Sequence, residues 1–211
     1  MQAFKQIRSH FLFSALLLAG VLLSCKKTQR THVDGSTKDA SNLNTISGAT
    51  VYLKQRDPNC SSCFSGTNVS QTRSDANGKF TFDFNANNGY LYNVSATADK
   101  YLNNLSSGGS NLANGQDNEV NIQLQPAGFL KIHVKNTSPH DAWDVLWMHS
   151  VLGTDSAAFK GISIDTSFTQ TVYGSSANPL TWSVKKNGVL TLHNAYVNCV
   201  AFDTTYYSLN Y

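Results

Sequence analysis

The spacing of apolar residues divides the chain into two kinds of segment. One continuous apolar run extends from Phe11 to Leu23, and from about Thr31 apolar and polar residues alternate in short stretches separated by turn residues. Alternation with a period of two is typical of strands that bury one face and wet the other. No segment after residue 25 has the 3.6-residue period of an amphipathic helix. The pattern predicts an all-β protein downstream of the apolar run.

The first half of this region contains several clear alternating sets. Phe80, Phe82 and Phe84 lie on one face of a predicted strand, with polar side chains between them. The other sets are Ala49, Val51 and Leu53; Tyr90, Tyr92, Val94 and Ala96; and Val120, Ile122 and Leu124. The turns at 75–78 and 87–89 end in Asn-Gly, which tolerates positive φ and favours tight hairpins. We therefore expect antiparallel strands joined by hairpins.

The second half, from about Pro126, has an alternating pattern of its own. The sets are Leu130, Ile132 and Val134; Leu180, Trp182 and Val184; and Tyr207, Leu209 and Tyr211. Lys186-Asn187-Gly188 predicts another hairpin. About 86 residues with six or seven strands are enough for a second small sandwich. The predicted fold is two tandem antiparallel β-sandwiches, the second Ig-like or similar.

Strand and turn sequences in the first half resemble a carboxypeptidase-regulatory-like, or transthyretin-like, domain. The resemblance rests on 46–53, 74–80, 92–96 and Tyr101, with Val33-Asp34-Gly35-Ser36 similar to the opening strand of that family. It implies a seven-stranded β-sandwich, used on envelope proteins as a spacer, docking or assembly module and without peptidase activity of its own. The segment Arg56–Asn68 departs from the short hairpin usual there.

The N-terminus resembles the signal peptide of a bacterial lipoprotein. Lys5 and Arg8 precede an apolar run of about 13 residues, too short for a spanning helix, which needs about 20. Ser24 then comes directly before Cys25, as in a lipobox. We expect a signal peptide over 1–24, a lipidated tether over 25–30 and domains over 31–125 and 126–211. An uncleaved N-terminal anchor is the alternative.

The residue after the lipid-bearing cysteine bears on location. Lys26 stands where inner-membrane lipoproteins have a retaining aspartate, so the chain resembles an outer-membrane lipoprotein. The expected location is the cell envelope, with the periplasmic and the surface-exposed orientation both open. The expected partner is the membrane, through the lipid, together with a protein or glycan ligand.

Charge and composition exclude several classes of function. Loss of Lys5 and Arg8 with the signal peptide lowers the formal net charge from +3 to +1, too weak for a nucleic-acid partner. Glu119 is the single glutamate, which excludes a Glu/Glu glycosidase pair, a His-Glu-x-x-His zinc protease and an EF-hand that ends in Glu. Gly-x-Ser-x-Gly is also absent. We assign no catalytic residue and no cofactor.

A metal site and an Asp-dependent hydrolase are the remaining chemical alternatives. The histidines of the second half lack metal-ligand spacing; they are His133, His140, His149 and His193. Solvated or hydrogen-bonded histidines are the simpler interpretation, and no metal site is predicted. A hydrolase would require Asp141, Asp144 or Asp165 to converge with a histidine in a pocket.

Three further cysteines follow Cys25. Cys60 and Cys63 lie in a turn-rich segment, and an oxidising compartment favours a local disulfide between them. A thioredoxin-like redox pair would need a helix after the motif. Cys199 lies in an apolar strand and is predicted to be a buried thiol.

The aromatic residues of the second half are the candidate binding surface. Trp143, Val145 and Trp147 share one face of a predicted strand, and apolar residues on its other face indicate a central strand. Core packing is the favoured interpretation of these tryptophans. If they are instead exposed, the surface lies near Trp143, Trp147, Tyr173 and Trp182, because exposed aromatic rings bind sugars and proteins.

Two short motifs resemble O-glycosylation acceptors of Bacteroidetes. They are Asp155-Ser156-Ala157 and Asp203-Thr204-Thr205, which make Ser156 and Thr204 the candidate sites. Taken together, the sequence predicts a lipid-anchored, non-catalytic binding or scaffolding protein. A carbohydrate-binding accessory protein that uses the C-terminal aromatic residues is the alternative.

Overall fold

The chain is all-β in the part that the structure describes. The computed structural model describes residues 28–60, 66–102, 111–149, 151–152 and 156–211. The strands are β1 (Thr28–Asp39), β2 (Thr50–Arg56), β3 (Thr67–Arg73), β4 (Lys79–Asn87), β5 (Leu91–Thr97), β6 (Asp117–Leu124), β7 (Ala127–Lys135), β8 (Val145–His149), β9 (Ala157–Lys160), β10 (Asp165–Tyr173), β11 (Ser176–Lys186), β12 (Val189–Cys199) and β13 (Thr204–Asn210). Within those ranges there is no helix of the length and apolarity that crossing a membrane requires.

The N-terminal half consists of two three-stranded sheets. In one sheet β1 is central, antiparallel to β4 and parallel to β6; the other sheet has the order β3-β2-β5. Period-2 alternation directs one set of side chains from each sheet into a shared core. The largest fully buried side chains of this core are Val33, Val51, Leu53, Val94, Ile122 and Leu124.

The C-terminal half repeats this topology. Its first strand, β7, is central between antiparallel β10 and parallel β13, as β1 is between β4 and β6. The second sheet has the order β12-β11-β8-β9, in which β9, β8 and β11 correspond to β3, β2 and β5. Strand β12 is the addition. It pairs with β11 and lies at the edge of the sheet.

The two halves touch at their junction. The Ala127 N–H donates to the carbonyl of Lys100 at 2.9 Å, and the Phe202 N–H donates to the carbonyl of Ala127 at 2.7 Å. The rings of Tyr101 and Phe202 meet edge to face, with their centroids 5.2 Å apart. These contacts join the end of one core to the start of the other without a free linker. The domain limits at 125 and 126 remain a prediction.

The all-β sandwich architecture predicted from the alternation is confirmed. Phe80 and Phe82 are buried and Phe84 packs against the core, as the pattern indicates. The structure adds one parallel pair to each half, β1 with β6 and β7 with β13. The described N-terminal half has six strands, whereas the family resemblance implies seven.

Two of the three predicted hairpins are not hairpins. The turns at 75–78 and 87–89 form, but each connects a strand of one sheet to a strand of the other. Lys186-Asn187-Gly188 does close a hairpin, between β11 and β12. Thr28–Arg30, expected in the tether, already belong to β1, where Thr28 pairs with Asn87.

We expect Gly35 to be required for packing of the first core. Gly35 pairs with Phe80 across β1 and β4, and the buried Phe80 ring occupies the space that a Cβ at Gly35 would need. Gly35→Ala should therefore displace the ring and cost about 1–3 kcal/mol of unfolding free energy. Calorimetry of the unfolding transition measures this. Gly89→Ala is the control, because the nearest neighbour of its Cβ would be 3.6 Å away. Equal stability of the two variants would contradict the packing argument.

Candidate contact surface

The outer face of the sheet β12-β11-β8-β9 carries an exposed tryptophan. Strand β8 directs Leu146 and Met148 into the core, where they are fully buried, and Trp147 outward, where it is 36% exposed. Trp147 pairs with Ser183 on β11 and Ala158 on β9, both small residues. The ring is therefore accessible from above the sheet.

Trp143 lies in the turn before β8 and is 72% exposed. The prediction that it shares a strand face with Val145 and Trp147 is wrong, because the chain turns at 142–143 before pairing begins. The Trp143 N–H donates to Oδ1 of Asp141 at 2.7 Å, an Asx turn that fixes the backbone there. Lys160 Nζ lies 3.9 Å from the centroid of the Trp143 ring, a cation–π contact.

The edge strand β12 extends this apolar face. Leu190, Leu192 and Tyr196 are all more than three-fifths exposed. Leu192 pairs with Ser183, which in turn pairs with Trp147, so these side chains form one row across three strands. We call Trp143, Trp147, Leu190, Leu192 and Tyr196 the outer apolar face. Single exposed apolar residues are ordinary, whereas several on one side of a sheet, here interspersed with Asn194 and Lys185, indicate a candidate contact site.

The structure separates the four aromatic residues that the sequence grouped together. Trp182 points to the inner face, packs against the second core and stacks on His193 with ring centroids 5.5 Å apart. Tyr173 is half-buried at the end of β10, in the other sheet. Only Trp143 and Trp147 of the four belong to the outer apolar face. Core packing, the interpretation favoured from sequence, holds for Trp182 and is wrong for Trp143.

A buried carboxylate holds the loop that presents Trp143. Asp144 has no exposed surface, and its Oδ2 accepts hydrogen bonds from the His140 N–H at 2.8 Å and from Asn136 Nδ2 at 3.1 Å. Lys186 Nζ donates to Asn136 Oδ1 at 2.9 Å and to the Ser138 carbonyl at 2.7 Å. Two donors to Asp144 Oδ2, with the Lys186 bridge between Asn136 and Ser138, fix the loop, whereas the buried Asp144 Oδ1 has no hydrogen-bond partner among the described residues.

These contacts shift the pKa values of Asp144 and of the nearby Tyr211. Burial favours the neutral form of Asp144, but the hydrogen bonds from His140 and Asn136, with the charge of Lys186, outweigh it and lower the pKa of Asp144. Burial and the charge of Asp144 raise the pKa of Tyr211. The Asp144 carboxylate is therefore ionised at neutral pH and serves as an anchor for the loop.

Asp144 also belongs to a group that could hold a metal ion. Ligand atoms of His140, Asp141 and Asp144 lie within 4.8 Å of one another. However, the loop itself uses these groups: Asp141 Oδ1 bonds the Trp143 N–H, Asp141 Oδ2 lies 3.2 Å from His140 Nδ1, and Asp144 Oδ2 has its two donors. We therefore treat the group as the hydrogen-bonded frame of the loop and assign no metal to it.

The carboxylates of the hydrolase alternative do not form one site. Asp165 pairs instead with His133 at 2.7 Å and Lys135 at 2.8 Å, on a half-exposed stretch of the other sheet. The Lys135 and His133 contacts lower the pKa of Asp165. No described arrangement joins a nucleophile, a base and a pocket at these residues.

The N-terminal half carries a polar groove that the sequence did not predict. It is open, about 720 Å³ in volume, and is lined mainly by His32, Asp34, Lys79, Asp117 and Glu119. His32 contacts two carboxylates, Asp83 at 3.1 Å and Asp34 at 3.2 Å, and the hydrogen bond to Asp83 followed by that to Asp34 raises the pKa of His32. Only the strand order β4-β1-β6, not visible in the sequence, brings these residues together.

The remaining sequence-predicted residues have diverse positions. Cys25 and Cys63 lie outside the described residues, whereas Cys60 is disulfide-bonded. Cys199 is buried, as predicted, and burial raises the pKa of its thiol. Ser156 is exposed next to β9, and Thr204 is half-buried at the start of β13.

Comparisons with known proteins find no matching family model and no matching curated protein. Among solved structures, the minor pilin GBS52 of Streptococcus agalactiae is 12% identical with a TM-score of 0.42, over 85% of this chain and 94% of that one. A DUF3823 family protein from Parabacteroides merdae is 12% identical with a TM-score of 0.35, over 83% and 99%. The Bacillus anthracis TIE protein is 12% identical with a TM-score of 0.38, and this chain covers 86% of its own length but only 34% of that protein. At these scores none of them carries information on function.

We predict that Asp144→Ala destabilises the C-terminal half. The substitution removes the acceptor of the His140 and Asn136 bonds, so the melting temperature at pH 7 should fall by on the order of 10 °C. Because the pKa of Asp144 is lower in the folded state than its ordinary 3.8, this stabilisation is present above that pH and is lost as the pH falls through the folded-state value. The difference from the unsubstituted protein should therefore shrink in acid.

Asp165→Ala is the control for this prediction. It removes an exposed pair, which contributes little to stability. Melting curves recorded at pH 7 and at pH 3 for both variants make the comparison. An Asp144→Ala protein as stable as the Asp165→Ala protein at pH 7 would show that the loop does not depend on its buried carboxylate.

Proposed function

We propose that the chain is a lipid-anchored protein of the cell envelope that binds a partner through the outer apolar face and catalyses no reaction. The observation that carries the proposal is the exposure of Trp147 on the outer face of β8 and of Trp143 in the turn directly before that strand. Large apolar side chains left in water forgo the free energy that burial would give, roughly 25 cal/mol per Å². A partner that covers them recovers this free energy, and aromatic residues are enriched where proteins make such contacts.

The position of Trp143 supports a binding role over a packing role. The Asp144 carboxylate and the Asx turn at Asp141 hold the loop while the ring itself stays exposed. A ring fixed in its bound orientation loses little conformational freedom on binding, which favours affinity. The Lys160 contact restricts the ring further.

Anchoring at Cys25 completes the proposal. Attachment through more than one acyl chain holds a protein stably at a membrane, whereas a single chain is marginal. The N-terminal half, joined to the C-terminal half by the bonds around Ala127 and by the Tyr101–Phe202 contact, would then act as a spacer between lipid and binding face.

Cys25→Ala should release the protein from membranes. The substitution removes the proposed lipid attachment and changes no residue of the described structure. After cell fractionation, the unsubstituted chain should be in the membrane fraction and the variant in the soluble fraction, with the same melting temperature. Cys199→Ala, which alters a buried thiol, should remain membrane-bound. Unchanged fractionation of the Cys25 variant would refute lipid anchoring.

A glycan is the second candidate ligand, and the surroundings of Trp143 favour it. Sugar rings stack on exposed aromatic rings while nearby polar groups bond their hydroxyls. The half-exposed side chains of His140 and Asp141 are on the same loop as Trp143. The loop thus offers an aromatic platform beside hydrogen-bonding groups.

Trp143→Ala should reduce glycan binding without unfolding the protein. Loss of one stacked ring costs about 1 kcal/mol or more, so affinity should drop about five-fold or further on a glycan array or by calorimetry. Tyr206→Ala is the matched control, because Tyr206 is 73% exposed and faces Lys131 but lies on the opposite sheet. An array on which the unsubstituted protein binds nothing would eliminate the glycan and leave a protein partner.

A further inference from the structure

Strand β12 is a long sheet edge without the features that normally protect one. It runs for 11 residues, Val189–Cys199, and contains no proline and no lysine, arginine, aspartate or glutamate. Natural edge strands are usually short, charged or interrupted, since a bare edge pairs with other chains. The opposite edge of the same sheet, β9, follows this rule: it has four residues and ends in Lys160.

The turn that precedes β12 determines which peptide groups of β12 have no partner on β11. Asn187 and Gly188 have φ values of 48° and 74°, which identify a two-residue type I′ turn. Lys186 and Val189 close it, so the odd-numbered residues of β12 direct their N–H and C=O groups toward β11. The N–H and C=O groups of the even-numbered residues point away from β11, toward the free edge of the sheet, and no described strand pairs with them. These residues include Leu190, Leu192, Asn194 and Tyr196.

We propose that β12 pairs antiparallel with β12 of a second copy of this chain, which makes one eight-stranded sheet across a two-fold axis. Such an interface is self-complementary, because each copy contributes the same free edge. The pairing uses three residues of the outer apolar face, Leu190, Leu192 and Tyr196, and leaves Trp143 and Trp147 accessible to a partner.

The side chains favour an axis at His193. In this register Leu190 of one copy lies opposite the partner's Tyr196, and Leu192 lies opposite the partner's Asn194. The backbone N–H and C=O groups of all four residues point to the free edge, so these pairs exchange backbone hydrogen bonds. Leu190 and Tyr196 are both strongly exposed in the single chain, and the pairing buries each against the other. The strand contains no lysine, arginine, aspartate or glutamate that would be brought close to its copy, and the residue at the axis is His193.

The area available suits a dimer. The exposed parts of Val189, Leu190, Leu192 and Tyr196 provide on the order of 500 Å² of mostly apolar surface per copy, as much as the largest patch on a typical monomer. Edge-to-edge pairing covers part of this surface together with the free backbone groups of β12, whereas a standard complex buries roughly 800 Å² per partner. A short peptide would cover less of this surface, so a second copy is the better occupant.

Disulfide cross-linking tests both the pairing and its register. At the axis the two copies of residue 193 form a non-hydrogen-bonded pair with Cα atoms about 4.5 Å apart, within the range of a disulfide. His193→Cys in the full-length chain in its membranes should shift the protein from monomer to dimer mass on non-reducing gels after mild oxidation. The unsubstituted chain, with Cys60 disulfide-bonded and Cys199 buried, should stay at monomer mass.

Thr191→Cys is the matched control on the same strand face. In the proposed register the two copies of residue 191 are offset by about 13 Å along the strand, so they cannot be bridged. Thr191 is exposed like His193, so random collision would cross-link both variants equally. Equal cross-linking of the two, or none with either, overturns the proposal. Cross-linking of His193→Cys to a different protein would identify a foreign strand and overturns it too.

A second variant tests the apolar contact without a cysteine. Leu192→Lys places two ammonium groups near the axis and should abolish the His193→Cys dimer when the two changes are combined. Val69→Lys, on the polar edge strand β3, introduces the same charge elsewhere and should leave the dimer intact. Loss of the dimer in the Leu192→Lys variant and also in the Val69→Lys variant would contradict a specific role for Leu192. Failure of this test leaves the binding role of Trp143 unaffected, since glycan or partner binding by a monomer is measured separately.

Discussion

Each half of the molecule depends on a first strand that is paired on both sides with distant parts of the chain. Strand β7 lies between β10 and β13, and its inward residues Leu130, Ile132 and Val134 have no exposed surface. The same arrangement holds for β1 between β4 and β6. Because the last strand of each half closes in parallel beside the first, neither sheet is complete until the whole half has been assembled. Such non-local pairing makes folding slow and cooperative.

The sequence predicted the strands well because their signal is local. Side-chain period, turn residues and the apolar sets around Phe80 and Ile122 each lie within a few residues of one another. Pairing partners are not local, and the turns at 75–78 and 87–89 show the consequence: an Asn-Gly turn forms whether the next strand stays in its sheet or crosses to the other. The repeated topology was invisible for the same reason, since the two halves share pairing order without sharing obvious residues.

The contact surface was predictable only in part. A tryptophan is equally suited to a core and to a binding face, and period 2 assigned Trp147 to the correct strand without deciding whether its face is wet. The spacing of Trp143 fits the same strand, yet the Asp141 turn ends the alternation before β8 begins. The sequence makes Asp144 a candidate for hydrolase chemistry, whereas its burial and hydrogen bonds give it a structural role. This role arises from contacts with Asn136 and, through Asn136, with Lys186. Because Lys186 is 50 residues from Asn136 in sequence, the sequence alone does not reveal the contact.

In the added strand β12, the residues that pack in the core and the residues that form the exposed surface lie in different parts of the strand. Only Val197 and Cys199 of this strand are buried in the second core, and the six-stranded N-terminal half closes the same topology without any counterpart of β12. Substitutions at the exposed side chains of Leu190, Leu192 and Asn194 therefore change what the protein presents to its surroundings while the core stays intact. The identity of these exposed side chains therefore decides which strand can pair with this edge, independently of the framework beneath it.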